Sequence, residues 1–543
     1  MKIPQKTSFI SNYLNRPSQL SPEELQVILE EYPYKDFSYE ENINYKVIKL
    51  LRSVAISIKA EKLSEKLNIS KQTAKEILTN QAVEVKFPVV IEGKGFINTL
   101  LLVPLSSNEV VSTEPVDKAN LELLSELIGK GFFVTFEKNF NFKTNSYTLA
   151  LYAGLVYGKE AGKFAFTGKV TTGGKLEEVE NVTQKLELCR NSGIPLIFAK
   201  RRDMESVEDL EEFLTKLQIP IFIFPSKEKE REAFLTNFKF SQNYIKSVFH
   251  LEEELSYIKP FNETPEDFEE YIQWLKRIGE EIKTLKERYL PSITVGITSN
   301  PVVFSFIAGV IFSKNRLNTV FYKYLKEGKV YKSLFTIESD RDIPETEGAR
   351  NLIKIFKNEG EMITVTFNNR VDTDGIVFKI PSGELLDKHS KALAYIVNEE
   401  IRSLEDKCYD LVLETSNDFA FALGYYLEDY KCLNLFHRGK FVYYLQNPSN
   451  KPYFILDKCP LYLLNTRMFH LHVKEVSPEI FSSSVKKYGY VNLVEDQDIL
   501  KVLNERFQIW SEHKNWATLN RGDRVFLIRR EKGRLRFFEI LLT

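Results

Sequence analysis

The pattern that most constrains how this chain can fold occurs twice in its C-terminal half. Ile293-Thr294-Val295-Gly296-Ile297 reads as a strand that runs into the polar turn Thr298-Ser299-Asn300. A helix with a small-residue face at Ala308 and Gly309 follows, and then a second strand from Leu317 to Tyr322. The second copy runs from Asp410-Leu411-Val412-Leu413-Glu414 through Thr415-Ser416-Asn417 into a helix with Ala420, Ala422 and Gly424. It ends in a strand from Cys432 to Phe436. Strand, Thr-Ser-Asn, helix, strand, written twice, predicts a doubled Rossmann-like unit with parallel strands. In such folds ligands lie beyond the carboxyl ends of the strands, where turn amides and helix N-termini face anions. The paired turns therefore nominate Ser299, Asn300, Ser416 and Asn417 as ligand-binding residues.

At 543 residues the chain exceeds one hydrophobic core, and two to four domains are expected. Lys and Arg number 74 and Asp and Glu 75, a net charge of −1 (74 − 75), which argues against a protein that coats nucleic acid by bulk charge. Four scattered cysteines (Cys189, Cys408, Cys432, Cys459) form no C-x-x-C pair, so neither a disulfide scaffold nor a zinc ribbon is expected. They suit a reducing cytoplasm, and the N-terminus leads into no apolar signal segment. The longest apolar run, Val302 to Phe312, is too short to span a bilayer and reads as a buried helix. His470 and His472 alternate as on a strand and have no nearby partner for a metal, so no metal site is expected.

Residues 1–85 read as a helical region, with a helix start at Ser21-Pro22-Glu23-Glu24. Residues 63–78 have the shape of a helix-turn-helix, with Ser70 capping the second helix. Read as a DNA binder, Lys71, Gln72 and Lys75 would face the groove; the missing basic stripe favours a packing or docking hairpin. Residues 86–225 alternate strands and helices as one domain. Lys227 to Arg231 is a charge run suited to a linker, and residues 226–288 read as that linker and a long helix. Residues 289–543 form the doubled unit, with halves at about 289–400 and 401–543, and end in a hairpin around Lys532-Gly533. The class is multidomain α/β.

No Walker A, G-x-S-x-G or H-E-x-x-H motif occurs. Within 86–225, however, a strand Phe132 to Phe136 and a polar turn lead to Ser146 at a helix start. Thr167-Gly168 and a Gly173-Gly174 turn follow, and Lys185 lies inside a helix ahead of the strand Pro195 to Ala199. A serine hydroxyl becomes a nucleophile only when a base takes its proton, and a lysine serves as that base only when burial keeps it neutral near pH 7. Val182, Leu186 and Leu188 around Lys185 suit burial. Thr167 is placed to hold the amine, and free amides of a helix beginning at Ser146 suit a developing oxyanion.

This order and spacing resembles the proteolytic domain of Lon proteases. Ser146 falls on the family's nucleophile, Thr167-Gly168 on its Thr-Gly, Lys185 on its catalytic lysine, and Gly193-Ile194 to Phe198 on the segment that follows. The sequence departs from the family at Lys143-Thr144-Asn145 before the serine, at Tyr147-Thr148 after it and at Lys169; Thr144 is a rival nucleophile position. The C-terminal doubled unit resembles the SAVED domain, two CARF-like halves that sense cyclic oligonucleotides. Together the two parts are similar to the CRISPR-associated Lon proteases.

That resemblance implies an ATP-independent serine endopeptidase of a type III antiviral system, with no cofactor, active after a cyclic oligoadenylate binds. By analogy with the family the activator is the tetramer, cyclic tetra-adenylate. Self-association on activation is implied, and so is a protein substrate encoded nearby, such as a regulator restraining a transcription factor. Phosphates and bases would call on Lys329, Arg438 and Lys440 beside the four turn residues, with Tyr331 or Tyr443 to stack on adenine. Two rivals stand beside this reading. One is a nucleotide-gated DNA-binding regulator with an inert Lon-like domain. The other is a nuclease effector, for which no carboxylate-plus-lysine or His-Asn-His constellation is visible.

Overall fold

The structure is a computed structural model. It describes residues 43–53, 59–138, 140, 145–224, 228–258, 265–339, 343–360, 362–367, 375–404, 409–427, 433–437, 440–445, 453–455, 472–477, 516–521, 524–531 and 534–541. The expected helix start at Ser21, the turn residue Thr144, Arg438, His470 and three of the cysteines (Cys408, Cys432, Cys459) lie outside these residues. The chain divides into two compact units. One holds residues 1–217, 239–252 and 285–292, and the other 218–238, 253–284 and 293–543. No helix among the described residues is long and apolar enough to cross a membrane.

The first unit begins with three helices, α1 (Ile43–Ser53), α2 (Lys59–Leu67) and α3 (Lys71–Thr79). Then come β1 (Val83–Ile91), β2 (Lys94–Pro104), β3 (Val110–Ser112), α4 (Lys118–Ile128), β4 (Phe132–Phe136), α5 (Thr148–Tyr157), β5 (Ala165–Thr167), β6 (Lys169–Val170) and β7 (Leu176–Glu177). Its stretch up to residue 217 ends with α6 (Val182–Asn191), β8 (Leu196–Phe198) and α7 (Val207–Lys216), and a further helix at Gln242–Phe249 belongs to the same unit. Six strands form one mixed sheet in the order β3-β4-β2-β1-β5-β8. β1, β2 and β4 pair antiparallel, while β5 joins β1 and β8 in parallel. All five residues of β4 are buried, as a strand covered on both faces requires. Leu63, Ala74 and Ile77 of the helical hairpin share a core cluster with Leu101, Val103 and Phe133 of the sheet. α5 lies so close to β1 and β2 that a Cβ on Gly154 would sit 2.5 Å from Leu102 and 2.8 Å from Val85.

The second unit starts earlier than the sequence suggests. β9 (Gln218–Ile223) pairs in parallel with β11 (Thr294–Ser299), so it belongs to the doubled unit and not to the preceding domain. Residues 228–231 of the expected linker run belong to α8 (Glu228–Leu235), whose Phe234 is buried with Phe222, Tyr322 and Tyr331; Lys227 lies outside the described residues. β10 (Ser256–Tyr257), α9 (Pro265–Arg288), β11, α10 (Val302–Lys314), β12 (Asn318–Leu325) and β13 (Val330–Ile337) complete a sheet ordered β10-β9-β11-β12-β13. The apolar run from Val302 is the buried helix α10.

A second sheet holds β14 (Lys354–Lys357), β15 (Met362–Thr366), β16 (Ile376–Lys379), β17 (Tyr409–Glu414), β18 (Leu433–His437) and β19 (Lys440–Leu445), ordered β14-β16-β15-β17-β18-β19. α11 (Glu384–Arg402) and α12 (Asn417–Tyr426) are its helices. In each half four strands are parallel and the last turns back antiparallel; in the second half the opposite edge strand, β14, is antiparallel as well. The two halves therefore run from Gln218 to Ile337 and from Lys354 to Leu445, not from 289 and 401. A separate antiparallel sheet, with strands at 453–455, 472–476, 516–521, 524–531 and 534–541, follows and includes the expected terminal hairpin.

The internal repeat is real, but its register is not the one the Thr-Ser-Asn turns suggest. β17, α12, β18 and Gly424 each lie 115 residues after their counterparts (409 − 294, 417 − 302, 433 − 318, 424 − 309). Thr294 faces Asn318 and Tyr409 faces Leu433, the same stagger in both halves. The two Thr-Ser-Asn turns are offset by 117 (415 − 298). Ser299 thus ends its strand, whereas Ser416 stands one residue before its helix, where the first half has Pro301.

Candidate functional site

In the first unit the site is built where β5 ends. Asn145 takes a left-handed backbone with φ 50°, and the helix begins at Thr148, two residues later than its sequence start was expected. Ser146 therefore sits in the turn ahead of α5 instead of inside it, and is 7% exposed. Its carbonyl accepts from the Gly168 amide at 3.0 Å. Thr167, next in the chain to Gly168, ends β5 and is wholly buried.

Lys185 lies on α6, is 5% exposed, and donates from Nζ to Thr167 Oγ1 at 3.1 Å. Burial holds its amine down to about 8, partly offset by the Glu180 carboxylate. Cys189, one turn further along α6, is itself buried, which pushes its thiol up to about 12 and leaves it protonated. Thr167-Gly168 is thus the shared anchor of Ser146 and Lys185: one residue bonds the serine's backbone, the other the lysine's amine. The geometry differs from expectation at the helix amides. Thr148 N donates to Asn145 O at 3.2 Å and Leu149 N to Gly168 O at 3.2 Å, so neither is free for an oxyanion.

In the second unit the strand order of each half reverses beside β9 and beside β15, and each reversal is a topological switch point of the kind at which open α/β sheets take ligands. Ser299 ends β11 opposite Ile223, and its hydroxyl is buried with no hydrogen-bond partner. At the matching edge of the second half, Thr366 Oγ1 donates to Glu414 Oε2 at 3.0 Å, and the buried hydroxyls of Thr415 and Ser416 are also without partners. Asn300 is exposed and Asn417 half-buried. Lys329 is exposed on the hairpin joining β12 to β13, beyond the same carboxyl edge as Ser299. Lys440 opens β19 opposite His437. Tyr331 is not available for stacking: it is buried in the aromatic cluster beneath β13.

Glu414 and Thr415 escaped the sequence reading because the repeat was aligned on its turns. An alignment on Phe306-x-x-Gly309 and Phe421-x-x-Gly424 finds them. Lys323 also went unforeseen; it pairs with Asp387 and lies 3.9 Å from Asp418, whose other oxygen accepts from Ser390 at 2.6 Å.

In the helical hairpin, Ser70 caps α3 as expected. Gln72 donates to Glu76, Glu76 accepts from Ser106 N, Lys71 pairs with exposed Glu61, and Thr73 donates to Glu109. Thr73, Ala74, Glu76 and Ile77 are buried. Among the described residues no group of three or more His, Cys, Asp or Glu side chains is placed to hold a metal ion.

No protein-family model matches the chain. Among solved structures it is similar to the Acinetobacter baumannii Cap4 SAVED/CARF-domain containing receptor, at 9% identity and TM-score 0.28, over 66% of this chain and 92% of that one. The same receptor with the cyclic trinucleotide 3'3'3'-cAAA gives 11% identity and TM-score 0.27 over the same shares. The Moraxella osloensis Cap4 receptor gives 10% and 0.27, again over 66% and 92%. Superpositions this loose do not assign a fold or a ligand. An uncharacterized protein of Aquifex aeolicus (strain VF5) is 34% identical over 87 residues, 16% of this chain and 72% of that protein. Through those residues the chain belongs to the same family as the Aquifex aeolicus protein.

Proposed function

We propose that the chain is a serine endopeptidase in which Ser146 is the nucleophile and Lys185 the general base, gated by a cyclic oligoadenylate bound by the doubled α/β unit. The observation that carries the reading is the buried Lys185 amine, held down to about 8 and bonded to Thr167, whose neighbour Gly168 donates its amide to the Ser146 carbonyl. Neutral Lys185 takes the Ser146 Oγ proton as Oγ bonds to the substrate carbonyl carbon. The resulting ammonium gives that proton to the departing amine, and water then hydrolyses the ester. With the Thr148 and Leu149 amides in use, the oxyanion has to be met by other donors.

The ligand class rests on the doubled switch points, on the unpartnered hydroxyls of Ser299, Thr415 and Ser416, and on the resemblance stated above. Cyclic tetra-adenylate is the first probe. Self-association on binding and a substrate protein encoded nearby belong to the same reading. The hairpin packs its apolar face on the sheet and leaves Lys71, Gln72 and Lys75 exposed, an arrangement common to docking and DNA-binding hairpins.

The test is cleavage of a genomic-neighbour protein with and without cyclic tetra-adenylate. Ser146→Ala is expected to abolish cleavage, a fall of at least about a thousandfold. Cleavage that survives this change sinks the assignment.

A further inference from the structure

We propose that Thr148 is a positioning residue that sets the spacing between Ser146 and Lys185; this rests on the Ser–Lys reading above. Thr148 is wholly buried, and its hydroxyl makes contacts on both sides of the site. Oγ1 donates to Asn145 O at 2.9 Å, within reach of Gly168 O at 3.3 Å, and accepts from Val170 N at 2.8 Å. Asn145 is the left-handed residue that presents Ser146, and Gly168 to Val170 continues directly from Thr167, which holds the lysine amine. Backbone bonds from Gly168 N to Ser146 O and from Leu149 N to Gly168 O complete the zipper.

The Thr148 hydroxyl is the side-chain tie between the turn that carries the nucleophile and the segment that carries the base's anchor. A helix residue in this place had no need of a hydroxyl for its own helix, because its amide already bonds to Asn145 O. What the hydroxyl adds is the bond to Val170 N, beyond the end of β5. Displacing a reacting pair by about 1 Å can cost about a hundredfold in rate, so this tie matters to the chemistry as well as to packing.

The test reads position 146 without relying on peptidase activity. In full-length protein carrying Ser146→Cys, the pH dependence of iodoacetamide alkylation of the introduced thiol is followed by mass spectrometry of its peptide. A nearby Lys185 ammonium lowers the thiol pKa below the ordinary value of about 8.5. Adding Thr148→Val is expected to raise it and slow alkylation at pH 7 roughly fivefold, whereas Thr148→Ser leaves both unchanged. Thr148→Ala repeats the comparison if the valine variant does not fold.

Lys185→Met on the same background is the control. If it shifts the thiol and neither Thr148→Val nor Thr148→Ala does, the role of Thr148 is overturned and the dyad stands. If Lys185→Met shifts nothing, Ser146 and Lys185 are not a pair, and the peptidase reading falls together with the role given to Thr148. In the otherwise native enzyme, Thr148→Val is expected to lower kcat tenfold or more with KM unchanged, and Thr148→Ser to restore it.

Discussion

A lysine whose amine is held down to about 8 changes charge inside the range where proteins work. At pH 7 roughly a tenth of it is neutral; the competent fraction rises about ninefold from pH 6 to 7 and about fivefold from 7 to 8. Cleavage should therefore rise with pH and level off above about 8. Lys185→Arg, which stays protonated, should lose activity at every pH; a rate flat from pH 6 to 9 would exclude Lys185 as the base. The same shift acts on stability. Between about 8 and the ordinary 10.5 the unfolded chain binds more protons than the folded one, so stability rises with pH across that window. Replacing the amine by Lys185→Met should remove that rise, worth about 3 kcal/mol, as measured by denaturant titrations at pH 7.5 and 10.5. The residue types and their order were legible in the sequence. The helix start was not: the left-handed Asn145 delays it by two residues and draws the first amides into bonds with Asn145 and Gly168.

Elements add what single residues do not carry. α10 and α12 meet at two glycines in equivalent places. A Cβ on Gly309 would lie 2.1 Å from Phe421 O, and one on Gly424 2.1 Å from Phe306 O. The contact is reciprocal, Phe-x-x-Gly against Phe-x-x-Gly, and neither backbone carbonyl has room to give way. Gly309→Ala or Gly424→Ala should each destabilise the second unit by about 3 kcal/mol, the upper end for overpacking, visible as a lowered calorimetric midpoint. A loss below about 0.5 kcal/mol would mean that the helices do not meet there. These glycines were visible in the sequence as small residues, yet the repeat was aligned on its Thr-Ser-Asn turns, which are two residues out of step with the packing. Turns tolerate insertion and offset; a close helix crossing does not, and it fixes the true register. β9 was misassigned for a different reason. A parallel strand takes its neighbours from across a long connection, and nothing local in Gln218 to Ile223 names β11 as its partner.

At the scale of the whole molecule, the proposed cutting and sensing fall in separate compact units, and that separation is itself testable. A ligand that binds only folded protein raises stability by RT ln(1 + [L]/Kd), about 2.7 kcal/mol at a hundred times Kd. Added cyclic tetra-adenylate should raise the calorimetric transition that Gly309→Ala lowers, which identifies it as that of the second unit. Ser146→Ala should leave the shift intact, because the serine lies in the other unit. A double variant, Ser299→Ala with Ser416→Ala, should shrink it by removing two of the buried hydroxyls that have no partner in the protein. Removing an unpartnered buried hydroxyl does not itself break a protein hydrogen bond, so the double variant should be no less stable without ligand. The two measurements together separate a binding defect from a folding defect. A ligand shift confined to the first unit's transition would show that the doubled unit is not the sensor, whatever the fate of Ser146 and Lys185; a shift absent from both would exclude cyclic tetra-adenylate as its ligand.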